Sequence, residues 1–274
     1  ERFMFDLKLS AAQIKTFKED GFVNGGQLLT AQEVETLKNE LDRVIAQQDD
    51  KSIPQPVNIH NMARNTDMAV WQIVNIWMAS KPFASLLENT ALGKAAASLI
   101  DAKEIRLWHD QIQYKPKMHG GVNMWHQDWP YWPTLSEPHQ VTAWVALDEA
   151  DESNGCMSMV KGSHKWGDNI ADLHLIKKFE ELPKEYRGQK MEPTLCPVKS
   201  GHVHFHHGLT WHGSNKNTSQ RPRRAIALHF MGERTKLLRD KQHICKVLAP
   251  DTVKHGDMLE GKFFPLVYAE HVLV

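Results

Sequence analysis

The texture of the chain changes near Glu104, and that change does most to limit what it can fold into. From there on, short segments of alternating or β-branched residues are separated by Gly, Pro, Asn and Asp. Candidate strands are Ile105 to Tyr114, Val141 to Leu147, Met157 to Val160, His202 to His207 and Arg224 to Met231. Parallel strands need long crossovers, usually helices, and no regular alternation of helix with strand is visible here. An antiparallel barrel or sandwich is therefore expected, flanked by helices from the first part of the chain.

Those helices are announced by their caps. Ser10 with Gln13, and Thr30 with Glu33, have capping-box spacing: the first side chain accepts from the backbone N–H three residues on, and the second reaches back. Ile14 and Phe17 give a short apolar stripe that stops at Asp20-Gly21. Val34, Leu37, Leu41, Val44 and Ile45 follow a period of about 3.6. A third helix is expected from Pro82, suited to a first helical turn, through Leu86, Leu87, Leu92 and Ala96 to Ile100. The charged stretch from Asp168 to Lys190 has only a weak helical pattern and reads as an insertion or mobile excursion. With no repeat, low-complexity tract or linker, the 274 residues are expected to form one domain. It would comprise a helical part to about residue 103, a β core over about 104–235 and a C-terminal extension over about 236–274.

Composition excludes several classes. Lys plus Arg and Asp plus Glu number 33 each, so a zero net charge offers no footprint for nucleic acid or an anionic membrane. No apolar run approaches the ~20 residues of a membrane span. Three cysteines without CxxC spacing argue against a disulfide framework and for a reducing, cytoplasmic setting. Glu1 to Ser10 lack the basic-then-apolar layout of a secretory signal, and what precedes Glu1 stays open. Sixteen histidines, by contrast, invite a search for a metal site.

In Met124-Trp125-His126-Gln127-Asp128, residues two apart on an extended strand point the same way, so His126 and Asp128 can reach one ion. Alone this is weak, because His255-Gly256-Asp257 fits equally well. The rest of the chain favours the first pair. His212 lies in Gly208-Leu209-Thr210-Trp211-His212-Gly213-Ser214, and Arg223 follows it by eleven positions. Two imidazoles and one carboxylate on one face of iron(II) leave positions open for an oxygenase. A guanidinium fork takes a carboxylate with two parallel hydrogen bonds, as a 2-oxoglutarate co-substrate requires. His204, His206 and His207 share one candidate strand and cannot all face the ion; one of them is a candidate to orient a ligand. Trp129 and Trp132 are candidate walls of a substrate pocket, although large aromatics are more often core. Arg221 and Arg224 are expected to be solvated or paired outside the site.

The stretches Trp125-His126-Gln127-Asp128, Gly155-Cys156-Met157-Ser158-Met159-Val160-Lys161-Gly162-Ser163-His164 and His207-Gly208-Leu209-Thr210-Trp211-His212-Gly213-Ser214, followed by Arg221-Pro222-Arg223-Arg224-Ala225, resemble the phytanoyl-CoA dioxygenase (PhyH) family. The likeness covers most of the chain and is loosest over residues 51–100 and 168–190. It implies a mainly β fold with flanking helices, whose core is a double-stranded β-helix, the distorted jelly roll of cupin-like proteins. It implies a catalytic Fe(II) held by His126, Asp128 and His212, with 2-oxoglutarate and dioxygen as co-substrates. Arg223 would anchor the far carboxylate of 2-oxoglutarate and Trp144 would flank it, with Ser214 and Gln113 as polar contacts. The implied reaction is hydroxylation of a C–H bond of a small molecule, with release of succinate and carbon dioxide. Asp128 stands where related halogenases carry a small residue, which favours hydroxylation over halogenation. Desaturation, ring closure and epimerisation share the oxidising step and stay open. A zinc-dependent hydrolase, which would not need Arg223, and a non-catalytic metal-binding barrel are the competing readings. No strong basic cluster favours a CoA phosphate.

Overall fold

The computed structural model describes residues 6–63, 70–118 and 121–270. Both capping boxes form. Ser10 Oγ accepts from the Gln13 backbone and Gln13 returns to the Ser10 backbone, opening α1 (Ala11–Asp20). This helix closes at Gly21, whose φ of 88° lies in the left-handed region that glycine enters at little cost. After β1 (Phe22–Gln27), Thr30 and Glu33 cap α2 (Ala31–Ala46), which buries Val34, Leu37, Leu41 and Val44 on one face. Next come β2 (Asn58–Asn61) and β3 (Trp71–Val74), paired antiparallel.

The single helix expected from Pro82 to Ile100 is broken in two. α3 (Lys81–Ser85) runs into a 3-10 turn, and Asn89 then caps α4 (Thr90–Ile100) by accepting from the Leu92 N–H at 3.0 Å. An Asn side chain that bonds nearby backbone ends one helix and starts another, and apolar spacing does not reveal it.

The second part begins with β4 (Glu104–Lys115), β5 (Asn123–His126), β6 (Gln140–Ala146) and β7 (Met157–Val160). A short α5 (Ile170–Leu173) and the two-residue strands β8 (Glu185–Tyr186) and β9 (Gln189–Lys190) follow. The chain continues through β10 (Pro193–Cys196), β11 (His202–His207), β12 (His212–Ser214), β13 (Arg223–Gly232) and β14 (Leu266–Ala269). All five expected strands are present to within one residue at each end. Every pairing is antiparallel. The major sheet has the order β1-β11-β6-β13-β4-β3-β2, with β14 also on β4, and the minor sheet the order β10-β7-β12-β5.

Alternation along β13 shows how the layers divide. Ile226, Leu228 and Phe230 join the helices in the large core on the outer face of the major sheet. Ala225 and Ala227 point the other way and pack with Trp144, Met157, Met159 and Cys196 between the two sheets. The stretch expected to be an excursion packs against the sandwich as well. Its Phe179 ring stacks on Trp125 at 4.8 Å, and Leu173 shares a buried cluster with Trp125 and Trp211.

Candidate metal centre

His126 ends β5, His212 opens β12, and the two are direct cross-strand partners. Asp128 follows β5 at the start of a 3-10 turn. Each side chain offers one ligand atom, and these lie within 4.8 Å of one another. Among the described residues no other group of three His, Cys, Asp or Glu side chains is so placed. The backbone sets both tautomers: His126 Nδ1–H donates to the Met124 carbonyl at 2.7 Å, and His212 Nδ1–H to the Thr210 carbonyl at 2.9 Å. A carbonyl can only accept, so Nδ1 carries the proton and Nε2 is the atom left for an ion. The two Nε2 atoms face Asp128 Oδ1 at 3.7 and 3.5 Å.

Burial and charge act against each other among these atoms. Burial, followed by the neighbouring His212, pushes His126 down to about 4. Burial would lower His212 too, but the Asp128 charge raises it. Burial would raise Asp128, yet His212 and His206 hold its carboxyl well below the usual range. The carboxylate is fixed from behind. Asp128 Oδ2 accepts from Thr142 Oγ1 and from His206 Nε2, both at 3.0 Å, which leaves Oδ1 turned to the imidazoles. Thr142 has given its only proton to Asp128, so it accepts from His229 Nδ1 at 2.8 Å.

His206 is thus the one of the three clustered histidines that bonds Asp128. His204 stacks on Phe22 at 5.9 Å, and His207 packs against Phe17 and His164. Thr142 and His229 are absent from the sequence-based site. The only signal for them is their even spacing from Trp144 and Arg223, which puts all four on one face of the major sheet.

Arg223 opens β13 on that face and is 1% exposed. Its Nη1 donates to the Gly155 carbonyl at 2.8 Å, while Nε and Nη2 have no partner among the described residues. Gly155 has a φ of 79°, and a side chain there would collide with the Asn215 carbonyl, so glycine is required where Arg223 is steered. The guanidinium lies over the Trp144 ring, 5.4 Å from its centre. Burial lowers its pKa to about 10, which still leaves it charged at neutral pH. A buried cation with two idle donor atoms is costly, and a carboxylate is the group that would satisfy it. Trp144 Nε1 donates to Gln113 Oε1 at 3.1 Å, so these two expected neighbours of 2-oxoglutarate already hold each other.

Ser214 is differently engaged. Its Oγ accepts from Lys115 Nζ at 2.7 Å, and the same amine donates to the Ser214 and Asn215 carbonyls. Burial and the nearby Arg223 push Lys115 down to about 6. Arg224 pairs with Asp148 and Arg221 with Asp151, and neither lines a cavity that reaches His126. His255 faces Asp240, not a metal centre.

Three adjoining cavities meet at His126. A narrow one touches His126, Asp128 and His212 together with Gln113, Trp144 and Ser214. A second, of about 480 Å³, runs from His126 past Gln113 to Arg223. The third, of about 830 Å³, shares Gln72, Gln111 and Gln113 with the second and reaches His126 and Asp128. Trp132 lines the third, but Trp129 lines none of them and packs into the cluster beneath the C-terminal segment.

Known proteins share this framework. The ectoine dioxygenase of Halomonas elongata is 26% identical over 245 residues, covering 80% of this chain and 68% of that one. The structure of the non-haem α-ketoglutarate-dependent carbocyclase SnoK from nogalamycin biosynthesis is similar with a TM-score of 0.74 at 23% identity, over 96% of this chain and 98% of that one. The epimerase SnoN in complex with Fe3+, α-ketoglutarate and nogalamycin RO also gives 0.74, at 21% identity over 93% and 97% of the two chains. At such identities the likeness establishes the fold, and it is the expected cupin-like jelly roll. The sequence profile of phytanoyl-CoA dioxygenase (PhyH) matches residues 17–225, a span that holds His126, Asp128, His212 and Arg223. With well over half of its length matched, this chain belongs to the PhyH family.

Proposed function

We propose that the protein is an Fe(II)- and 2-oxoglutarate-dependent dioxygenase that hydroxylates a C–H bond of a small-molecule substrate, releasing succinate and carbon dioxide. One observation carries this reading: a three-atom ligand set and a buried, incompletely bonded guanidinium open onto adjoining cavities. A hydrolase would use the first and leave Arg223 buried for nothing. His126 Nε2, Asp128 Oδ1 and His212 Nε2 would hold the iron. Arg223 would take the far carboxylate of 2-oxoglutarate above Trp144, with Gln113 and Ser214 as further polar contacts. When bound, iron and 2-oxoglutarate supply the oxidising chemistry with dioxygen.

The chain contributes orientation and dryness. Thr142 and His206 keep Asp128 turned to the metal position, and the Met124 and Thr210 carbonyls keep each Nε2 directed at it. Trp144 shields the guanidinium from water, which strengthens its bond to a carboxylate. We read residues 1–274 as one domain, because β1 and β14 lie in the same sheet as β4, β6, β11 and β13. A cytoplasmic setting is supported by Cys156, Cys196 and Cys245, all buried and free. Among the described residues no helix is long and apolar enough to cross a membrane.

Anaerobic titration of the apo-protein with Fe(II) and 2-oxoglutarate should give a weak metal-to-ligand charge-transfer band in the visible, lost in His212→Ala. Arg223→Ala should weaken 2-oxoglutarate binding roughly 100-fold, the scale of losing charge-assisted hydrogen bonds, and weaken iron binding far less. Metal that binds without a band, or equal loss of both affinities in Arg223→Ala, would sink the reading.

A further inference from the structure

If the centre is a dioxygenase site, the wall of the 830 Å³ cavity says what kind of substrate it takes. Its inner wall is formed by β3 and β4. Gln72 and Gln113 are cross-strand partners and Gln111 stands two residues along, so their three amides share one face. None of the three NH2 groups donates to another described residue. His109, two further along β4, is 3% exposed and lines the same wall, and its Nε2 has no partner. Burial keeps it neutral, as it does His243, which stacks on it at 5.6 Å and whose pKa is pushed to about 4. A stripe of uncharged donors and acceptors therefore leads away from the metal position.

Charge is scarce along this cavity. Among the described lining residues the one carboxylate is Asp128, committed to the imidazoles, and the one lysine or arginine is Lys177. An ammonium group would lose its hydration here and meet no counter-charge. A carrier rich in phosphate would find a single partner. The rim has the opposite character. Met62, Val122, Tyr131 and Ile244 come from four separate segments, line this cavity, and are between 39% and 54% exposed. Large apolar side chains gathered at a mouth and left in water mark a binding surface.

We propose that the substrate is a neutral, oxygen-rich small molecule with an apolar body. Its hydroxyl or carbonyl groups bond to Gln72, Gln111 and His109, and the apolar body rests on Tyr131 and Ile244 at the mouth. A cavity of about 830 Å³ suits a molecule of drug size. Gln111 and His109 then determine specificity, because a wall built of hydrogen-bonding groups rejects analogues that leave those groups without partners.

The test uses enzyme loaded anaerobically with Fe(II) and 2-oxoglutarate. It is titrated separately with phenyl β-D-glucoside, 2-phenylethylamine and octanoyl-CoA, and both the charge-transfer band and the heat of binding are followed. The glucoside should shift the band saturably. Gln111→Leu and Ile244→Glu should each weaken its binding about tenfold, the scale of one lost hydrogen bond or its apolar equivalent. The band recorded before any probe is added shows that the centre of each variant is intact. A saturable response to the amine or the CoA thioester overturns the proposal. So does silence with the glucoside, or wild-type affinity in Gln111→Leu. If no band forms before a probe is added, the dioxygenase reading fails first and takes this proposal with it.

Discussion

Thr142 has one hydroxyl and two partners, donating to Asp128 Oδ2 and accepting from His229 Nδ1. Valine would keep the shape and remove both bonds. Asp128 would then hold its orientation through His206 alone, and His229 would keep a buried N–H without an acceptor. Hydrogen bonds behind a ligand are worth 10- to 100-fold in metal affinity, so Thr142→Val should weaken Fe(II) binding by at least about tenfold. Competition against a chelator would measure this, and an unchanged affinity would show that His206 suffices. The clustering of His126, Asp128 and His212, and the burial of Arg223, are legible in the sequence because each is a distinctive residue type in a fixed order. Thr142 is not, because its importance comes from the register that sets it opposite both His206 and His229. The Lys115 amine that holds Ser214 is hidden for the same reason. Trp129 misleads in the other direction: nearness to Asp128 in the chain suggests a pocket wall, and its indole packs elsewhere.

Caps and alternation are written within a few residues, and so the elements that depend on them can be read directly. The break at Asn89 is just as local, but apolar spacing runs across it and conceals it. α4 buries Leu92, Ala95, Ala96, Ala97, Leu99 and Ile100, and its start depends on the Asn89 side chain. Asn89→Ala should lower stability by about 1 kcal/mol, seen as a shift in the urea midpoint at constant slope, and Asn89→Asp should recover most of it. No shift in the alanine variant would mean that packing alone sets the start of α4. β1, with Gly25 and Gly26 and a bulge, and β12, only three residues long, show no strand pattern of their own. They are strands because neighbours offer them free edges, and that information lies elsewhere in the chain.

At the scale of the molecule, the major sheet is completed from both ends of the described chain: β1 forms one edge, and β14 adds to β4. The C-terminal segment is tied in by Phe264, which is fully buried and stacks on Trp108 at 5.7 Å. The same Trp108 ring lies 4.9 Å from His243, a wall of the large cavity. Phe264→Ala should therefore cost about 3–5 kcal/mol in chemical denaturation. A cost below about 1 kcal/mol would show the segment to be peripheral to the fold.

The placing of His126 opposite His212 has a consequence for folding. A slip of one residue in β12 would turn His212 outward and bring Trp211 or Gly213 to its place. Three residues, held between β5 and β7, guard that alignment. A misthreaded chain would keep an ordinary β-sheet spectrum while losing its affinity for metal. Iron supplied during refolding would draw the population towards correctly aligned chains by mass action, making the ion a proofreader of strand pairing as well as a reagent.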